Sequence, residues 1–158
     1  MTAKLASSGI EALLPSGFEG TIFQRNPVGG ADTHTVAQFA TFPLPVDVGD
    51  FGGGATTLMG PEDVFAVLFE YGQESIGRPL FARLGMPSHL APRDFRPYVL
   101  RRGLSGQAGT QWFFTEQGRP FTLYVVIGAY ARRVALTRRV NELLSGLMIY
   151  ANPGAGAA

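Results

Sequence analysis

The segment Thr110 to Gly128, TQWFFTEQGRPFTLYVVIG, constrains the fold more than any other part of the chain. Two runs of aromatic and β-branched residues surround Gln117-Gly118-Arg119-Pro120, which is a hairpin pattern. In the second run Phe121, Leu123, Val125 and Ile127 share one face, and Thr122, Tyr124 and Val126 share the other. Both faces are largely apolar, so this strand has to be covered on two sides and belongs in the middle of a sheet.

The rest of the chain supplies partners for it. From Ile10 to Arg25, two short extended segments are joined by a turn at Pro15-Ser16-Gly17. Thr35 to Phe42 alternates in part and ends before Pro43 and Pro45, so it reads as a strand. Residues 49 to 60, GDFGGGATTLMG, read as a glycine-rich loop entering a β-prone Thr-Thr-Leu-Met. Val64 to Tyr71 is apolar at almost every position, which suits a buried central strand better than a surface helix. Gly72 to Gly109 holds Pro79, Pro87, Pro92 and Pro97, so a long irregular segment is expected, with helical turns at Leu80 to Leu84 and Pro97 to Arg102.

From Ala131 to Tyr150 the apolar positions Leu136, Val140, Leu143, Leu144, Leu147 and Met148 recur at helical spacing, with Arg138 and Glu142 one turn apart on the polar side. The fold class is therefore α+β, an antiparallel sheet flanked by helices and closed by a C-terminal amphipathic helix. Residues 1–151 form one domain. The remainder, 152–158, reads NPGAGAA, has nothing to bury and is expected to be a flexible tail.

Composition excludes several classes of function. The chain has 158 residues, 46% of them hydrophobic, enough to build a core without staples. It has no cysteine, which removes disulfides, thiolate catalysis and zinc-thiolate or iron-sulfur sites. The N-terminal stretch lacks the apolar run of a signal peptide and no apolar stretch approaches membrane-spanning length, so a cytoplasmic location without membrane insertion is expected. Twelve arginines against one lysine point to a GC-rich bacterial genome.

The net charge of +1 argues against a nucleic-acid partner, which requires a marked cationic excess. Its distribution is uneven. Residues 1–94 carry five basic and ten acidic side chains, and residues 95–158 carry eight arginines and two glutamates. Either the two halves neutralise each other across the folded surface, or an arginine face meets an acidic partner or a second copy of the chain.

Chemistry-bearing residues are sparse. Asp32 and His34 are competent metal ligands, but a site needs three or four and no second cluster accompanies them. Ser75, Ser88, His89 and Asp94 offer the residue types of a nucleophile, base and orienting acid, yet neither serine stands in a nucleophile-elbow pattern. The glycines at 52 to 54 lack the Gly-Lys-Ser/Thr of a phosphate loop. Glu70 and Glu74 would share a face only in a helix, and the patterning makes this the end of a strand. Trp112-Phe113-Phe114 could stack on a ligand, but in a hairpin one side of such a run faces the core. No catalytic, cofactor-binding or metal-binding residue is assigned. The candidate contacts for a partner are Arg101, Arg102, Arg132, Arg133, Arg138 and Arg139.

The final strand pair, followed by a closing helix ending in VNELLSGLMI, resembles the end of the PsbP-like fold. The extended entry into Leu14-Pro15-Ser16-Gly17-Phe18 is also similar to that family. The family includes photosystem P subunits, a yeast Ran-binding nuclear-import factor and LpqN-type actinobacterial lipoproteins. The resemblance covers both ends of the chain and implies a sheet sandwiched by helices, used mostly for binding. The lipoprotein cysteine is missing here, and no residue role carries over.

The function expected from these observations is a non-enzymatic protein-binding or assembly module whose partner is another protein or a second copy of itself, with no cofactor. Its contact surfaces would be the loop Gly72 to Gly109 and the arginine-bearing face. The alternatives are a carrier of a small apolar ligand held between sheet and helix, and a small hydrolase built on His89.

Overall fold

A computed structural model describes residues 3–25, 34–45, 54–97 and 106–152. Its strands are β1 (Ala3–Ser7), β2 (Ile10–Leu14), β3 (Glu19–Arg25), β4 (His34–Ala40), β5 (Val64–Glu70), β6 (Ala108–Glu116), β7 (Arg119–Ile127) and β8 (Leu147–Ile149). The helix α1 (Arg133–Ser145) lies between β7 and β8 in sequence. One antiparallel sheet has the order β3-β4-β5-β7-β6, and a second has the order β1-β2-β8.

The chain is α+β, as its patterning predicts, but the expectation of one sheet flanked by helices is corrected. Among the described residues a single α-helix covers the large sheet, and a three-stranded sheet stands where further helices were expected. The reason lies at Gly146. The helical period runs through Leu147 and Met148, yet α1 stops at Ser145 and β8 pairs with β2 instead. The Leu13 amide donates to the Gly146 carbonyl at 2.9 Å, and a β-carbon at position 146 would run into the Leu13 carbonyl oxygen. Glycine permits that approach, and the chain turns out of the helix there. Leu136, Val140, Leu143, Leu144 and Leu147 are buried, but Met148 is 51% exposed on the outer face of β8.

The hairpin of β6 and β7 forms as its sequence predicts, with a tighter turn. Gln117 and Gly118 have φ of 53° and 71°, the pair of left-handed residues that a two-residue hairpin turn requires. Arg119 and Pro120 therefore belong to β7 and not to the turn. β5 lies between β4 and β7, the central position its apolar run predicts. The β-prone residues at 56–58 form a 3-10 turn, Thr56–Leu58, in place of the expected strand entry, since the Met59 amide closes back on the Thr56 carbonyl. Residues 46–53, which include the glycines at 52 and 53, lie outside the described residues, as do 98–102 of the expected turn at Pro97 to Arg102 and nearly all of the tail. The other expected helical turn, Leu80 to Leu84, is met only in part: a 3-10 turn forms at Pro79–Phe81 while Leu84 bridges to Thr115, and further 3-10 turns stand at Gln73–Ser75 and Pro92–Asp94.

Each face of the large sheet has its own core. Phe39, Ala66, Leu68, Leu123, Val125 and Ile127 meet α1, β2 and β8 on one face. On the other, Val36, Ala40, Phe65, Val67 and Val126 pack with Phe42, Ala55 and Met59. Gly20 stands opposite Phe39 in the β3–β4 register, and the Phe39 ring fills the space above it, 2.7 Å from where a β-carbon would lie. The two-sided burial predicted for β7 is thus met by a helix and small sheet on one side and by Phe42, Ala55 and Met59 on the other.

Candidate functional site

Three constellations stand out. The first is a depression of about 600 Å³, open to solvent, lined by Ala91, Pro92, Arg93, Phe95, Arg96, Pro97, Tyr130, Arg133 and Val134. It lies where the segment after Leu90 meets the beginning of α1. The rim is held firmly. Asn141 of α1 donates to the Leu90 carbonyl at 2.9 Å and accepts from the Leu90 amide at 2.8 Å. Asp94 turns its carboxylate back to the Ala91 amide at 2.7 Å. Phe95 is buried in the core, and the Arg96 backbone exchanges two hydrogen bonds with Gly109 of β6.

Those constraints leave Arg93 and Arg96 exposed on a fixed stretch of backbone. Opposite them, the Arg133 guanidinium lies 4.3 Å from the Tyr130 ring centroid and donates to the Tyr130 carbonyl. Stacking of this kind orients an arginine and leaves other N–H groups of its planar fork for a ligand. The first turn of α1 contains no acidic residue.

The second constellation is buried and structural. Arg119, only 4% exposed, grips Glu70 through two bonds, Nε to Oε2 at 2.8 Å and Nη2 to Oε1 at 2.9 Å. The same guanidinium donates to the carbonyls of Ser8 at 3.0 Å, Gly9 at 3.4 Å and Tyr150 at 2.9 Å. Ser8 and Gly9 have φ of 54° and 75°, so Arg119 braces the tight turn between β1 and β2 while tying it to the residue after β8. Neither residue was a sequence candidate for this role, although the period of two pointed at both: Arg119 is two before Phe121 and Glu70 two after Leu68, on the same buried faces.

The third is an aromatic row on the second face of the large sheet. His34 stacks on Phe69 at 5.5 Å between centroids, Phe69 meets Tyr71 at 5.1 Å, and Tyr71 meets Phe81 and Phe113 at 5.1 and 6.3 Å. Burial raises the Tyr71 and Tyr124 phenols above the ordinary value of 10.0. The folded state thus favours their neutral forms, so the stability they contribute is present below pH 10 and is lost as pH climbs through the raised values. An ultraviolet titration should resolve two late-ionising tyrosines, with Tyr71→Phe and Tyr124→Phe each removing one. Titration of all the tyrosines together at the ordinary value would contradict this.

Of the six arginines proposed as contacts, the structure brings one into the depression. Arg133 lines it, Arg132 pairs with exposed Glu62 at 2.9 Å, and Arg139 binds Glu142 at 2.7 Å and the Ser16 carbonyl while lying over the Phe18 ring. Glu142 is therefore met by Arg139, not by the Arg138 suggested by helical spacing. Arg138 is exposed elsewhere on α1, and Arg101 and Arg102 lie outside the described residues. Arg93 and Arg96 were missed, although their spacing between Pro92 and Pro97 signalled a rigid presentation. The opposite charges of the two halves do meet inside the chain, in Arg119–Glu70 and Arg132–Glu62.

The remaining candidates stay apart. His89 is exposed, and no hydrogen bond joins it to Ser75, Ser88 or Asp94. Asp32 lies outside the described residues, His34 bonds through Nδ1 to the Glu70 carbonyl, and no group of three metal-ligating side chains occurs among the described residues. In the Trp112-Phe113-Phe114 run, Phe114 is fully buried and Trp112 is half-buried beneath Arg83, 5.0 Å from its ring centroid. No described helix is long and apolar enough to cross a membrane. Compared with protein-family models, curated proteins and solved structures, the chain matches none of them.

Proposed function

We propose that this chain is a non-enzymatic, cytoplasmic binding module that holds another protein at the depression between residues 91–97 and the start of α1. The observation that carries this reading is the convergence there of the proline-rich loop and the arginine-bearing helix around a preset, solvent-open floor. Binding energy at protein interfaces concentrates in arginine and aromatic side chains around such a centre. A rim already fixed by Asn141, Asp94 and Phe95 lowers the cost of ordering it on association.

An antiparallel sheet with a helix from the last third laid on one face supports the accompanying proposal of a PsbP-like domain, a fold whose resemblance implies binding more than chemistry. The carrier reading needs room between sheet and helix. There Leu68, Val125, Val140 and Leu143 are 0% exposed and belong to one packed cluster, which favours the protein-binding reading.

The test is affinity capture of the tagged full chain from its native host with mass spectrometry, together with light scattering on the purified chain. A stoichiometric protein partner or a defined oligomer is the expected result. A strict monomer that retains nothing, and that turns over a substrate in a panel, overturns the proposal.

A further inference from the structure

We infer that the segment this depression takes is an acidic stretch of polypeptide, its carboxylates meeting Arg93 and Arg133 while an apolar side chain between them seats against Val134 and Pro92. This rests on the binding reading above and names the chemistry of the partner. The lining contains three guanidiniums and no carboxylate. The nearest acid in sequence, Asp94, is occupied with the Ala91 amide at 2.7 Å. Three described arginines outside the depression meet acids of the chain itself, Arg119 with Glu70, Arg132 with Glu62 and Arg139 with Glu142, while Arg78 bonds a backbone carbonyl and Arg83 lies over Trp112. Arg93 and Arg133 form no ion pair with any other residue among those described.

The geometry selects among anions. A guanidinium presents its donors as a planar fork matched to a carboxylate, and several forks on a fixed rim address several carboxylates at once. The rest of the lining is apolar, from Ala91, Pro92, Phe95, Pro97 and Val134, with the Tyr130 ring beside it. A highly hydrated small anion would leave that surface uncovered. A polypeptide alternating acidic and apolar side chains covers both parts. Nucleic acid is disfavoured by a net charge of +1.

The experiment uses the full chain and a fluorescein-labelled peptide of repeated Glu-Leu-Glu units, followed by fluorescence anisotropy at low and moderate salt. Saturable binding with a Kd on the order of 100 µM or tighter is expected, weakening with salt. The glutamine counterpart of the peptide should bind at least about 10-fold more weakly, and R93Q/R133Q should lose a similar factor. R138Q removes the same charge from exposed helix surface outside the depression and should change nothing. A thermal midpoint matching the unaltered protein shows that R93Q/R133Q is folded; if it is not, R93Q alone, at an exposed position, reads the same loss.

Absence of saturable binding, equal binding of the glutamine peptide, or equal loss in R138Q overturns the inference. So does competition by inorganic phosphate at concentrations where glutarate has no effect, because the recognised anion would then be phosphate. If R93Q/R133Q retains a captured partner in full, this inference fails while the protein-binding reading stands. A strictly monomeric unaltered chain that captures nothing and turns over a substrate removes that reading itself.

Discussion

Replacing Arg119 with methionine should lower the unfolding free energy by about 3–5 kcal/mol, the cost of stranding a buried charge whose partner has been removed. The Glu70 side chain is 12% exposed and receives two of the guanidinium's hydrogen bonds, so water cannot take the partner's place without opening the sheet end. The damage should reach further than the pair. Ser8, Gly9 and Tyr150 lose the donor that joins the β1–β2 turn to the end of β8. Denaturant unfolding measures the loss, and amide exchange should show reduced protection across β1, β2 and β8 before the large sheet is affected. The double variant E70Q/R119M should recover part of the stability, since it removes the stranded charge. A loss in R119M below about 1 kcal/mol would mean that the pair is no more than a surface ion pair in energetic terms.

Truncating Phe39 to alanine should cost about 3–5 kcal/mol, by loss of apolar burial and by the cavity left behind. Phe39 is 0% exposed and belongs with Ala37, Leu68 and residues of β2 and β8 to one buried cluster. It has a second task as the cover of Gly20, the residue opposite it on the edge strand β3. A glycine in a strand contributes no packing of its own, and an aromatic neighbour across the pair makes up for that. F39A should therefore loosen β3 beyond what its volume alone implies, visible as faster amide exchange at Gly20 and Ile22. F39L, which keeps most of the volume, should cost under about 1.5 kcal/mol. Equal effects of F39A and F39L would remove the argument.

Much of the fold was legible because it follows from local periodicity. The alternation in Phe121 to Ile127 and the continuous apolar run from Val64 placed two neighbouring strands in the middle of a sheet, where they stand. The same logic misjudged the C-terminal segment. A helical period was counted through Met148, because hydrophobic spacing does not register a glycine whose backbone has to touch another strand. The second sheet was invisible for a related reason: β1 is mostly exposed, with only Leu5 partly buried, so it has almost no pattern of its own. Its pairing with β2 depends on a Ser-Gly turn braced by a residue 110 positions away.

The candidate site divides in the same way. Arginine excess in the last part of the chain, a proline-rich loop before it and the absence of a catalytic motif were all set by the sequence. Which arginines lie together was not, since that depends on where each guanidinium finds a partner in space. Arg119 went inward to Glu70, Arg132 and Arg139 went to neighbouring acids, and Arg133 turned onto Tyr130 to face Arg93 and Arg96 across the depression. Residue type and spacing decide which surfaces must be buried, because burial follows the period of the backbone. Long-range charge pairing and close backbone contacts belong to the tertiary structure alone, because they join residues whose separation in sequence carries no local signal.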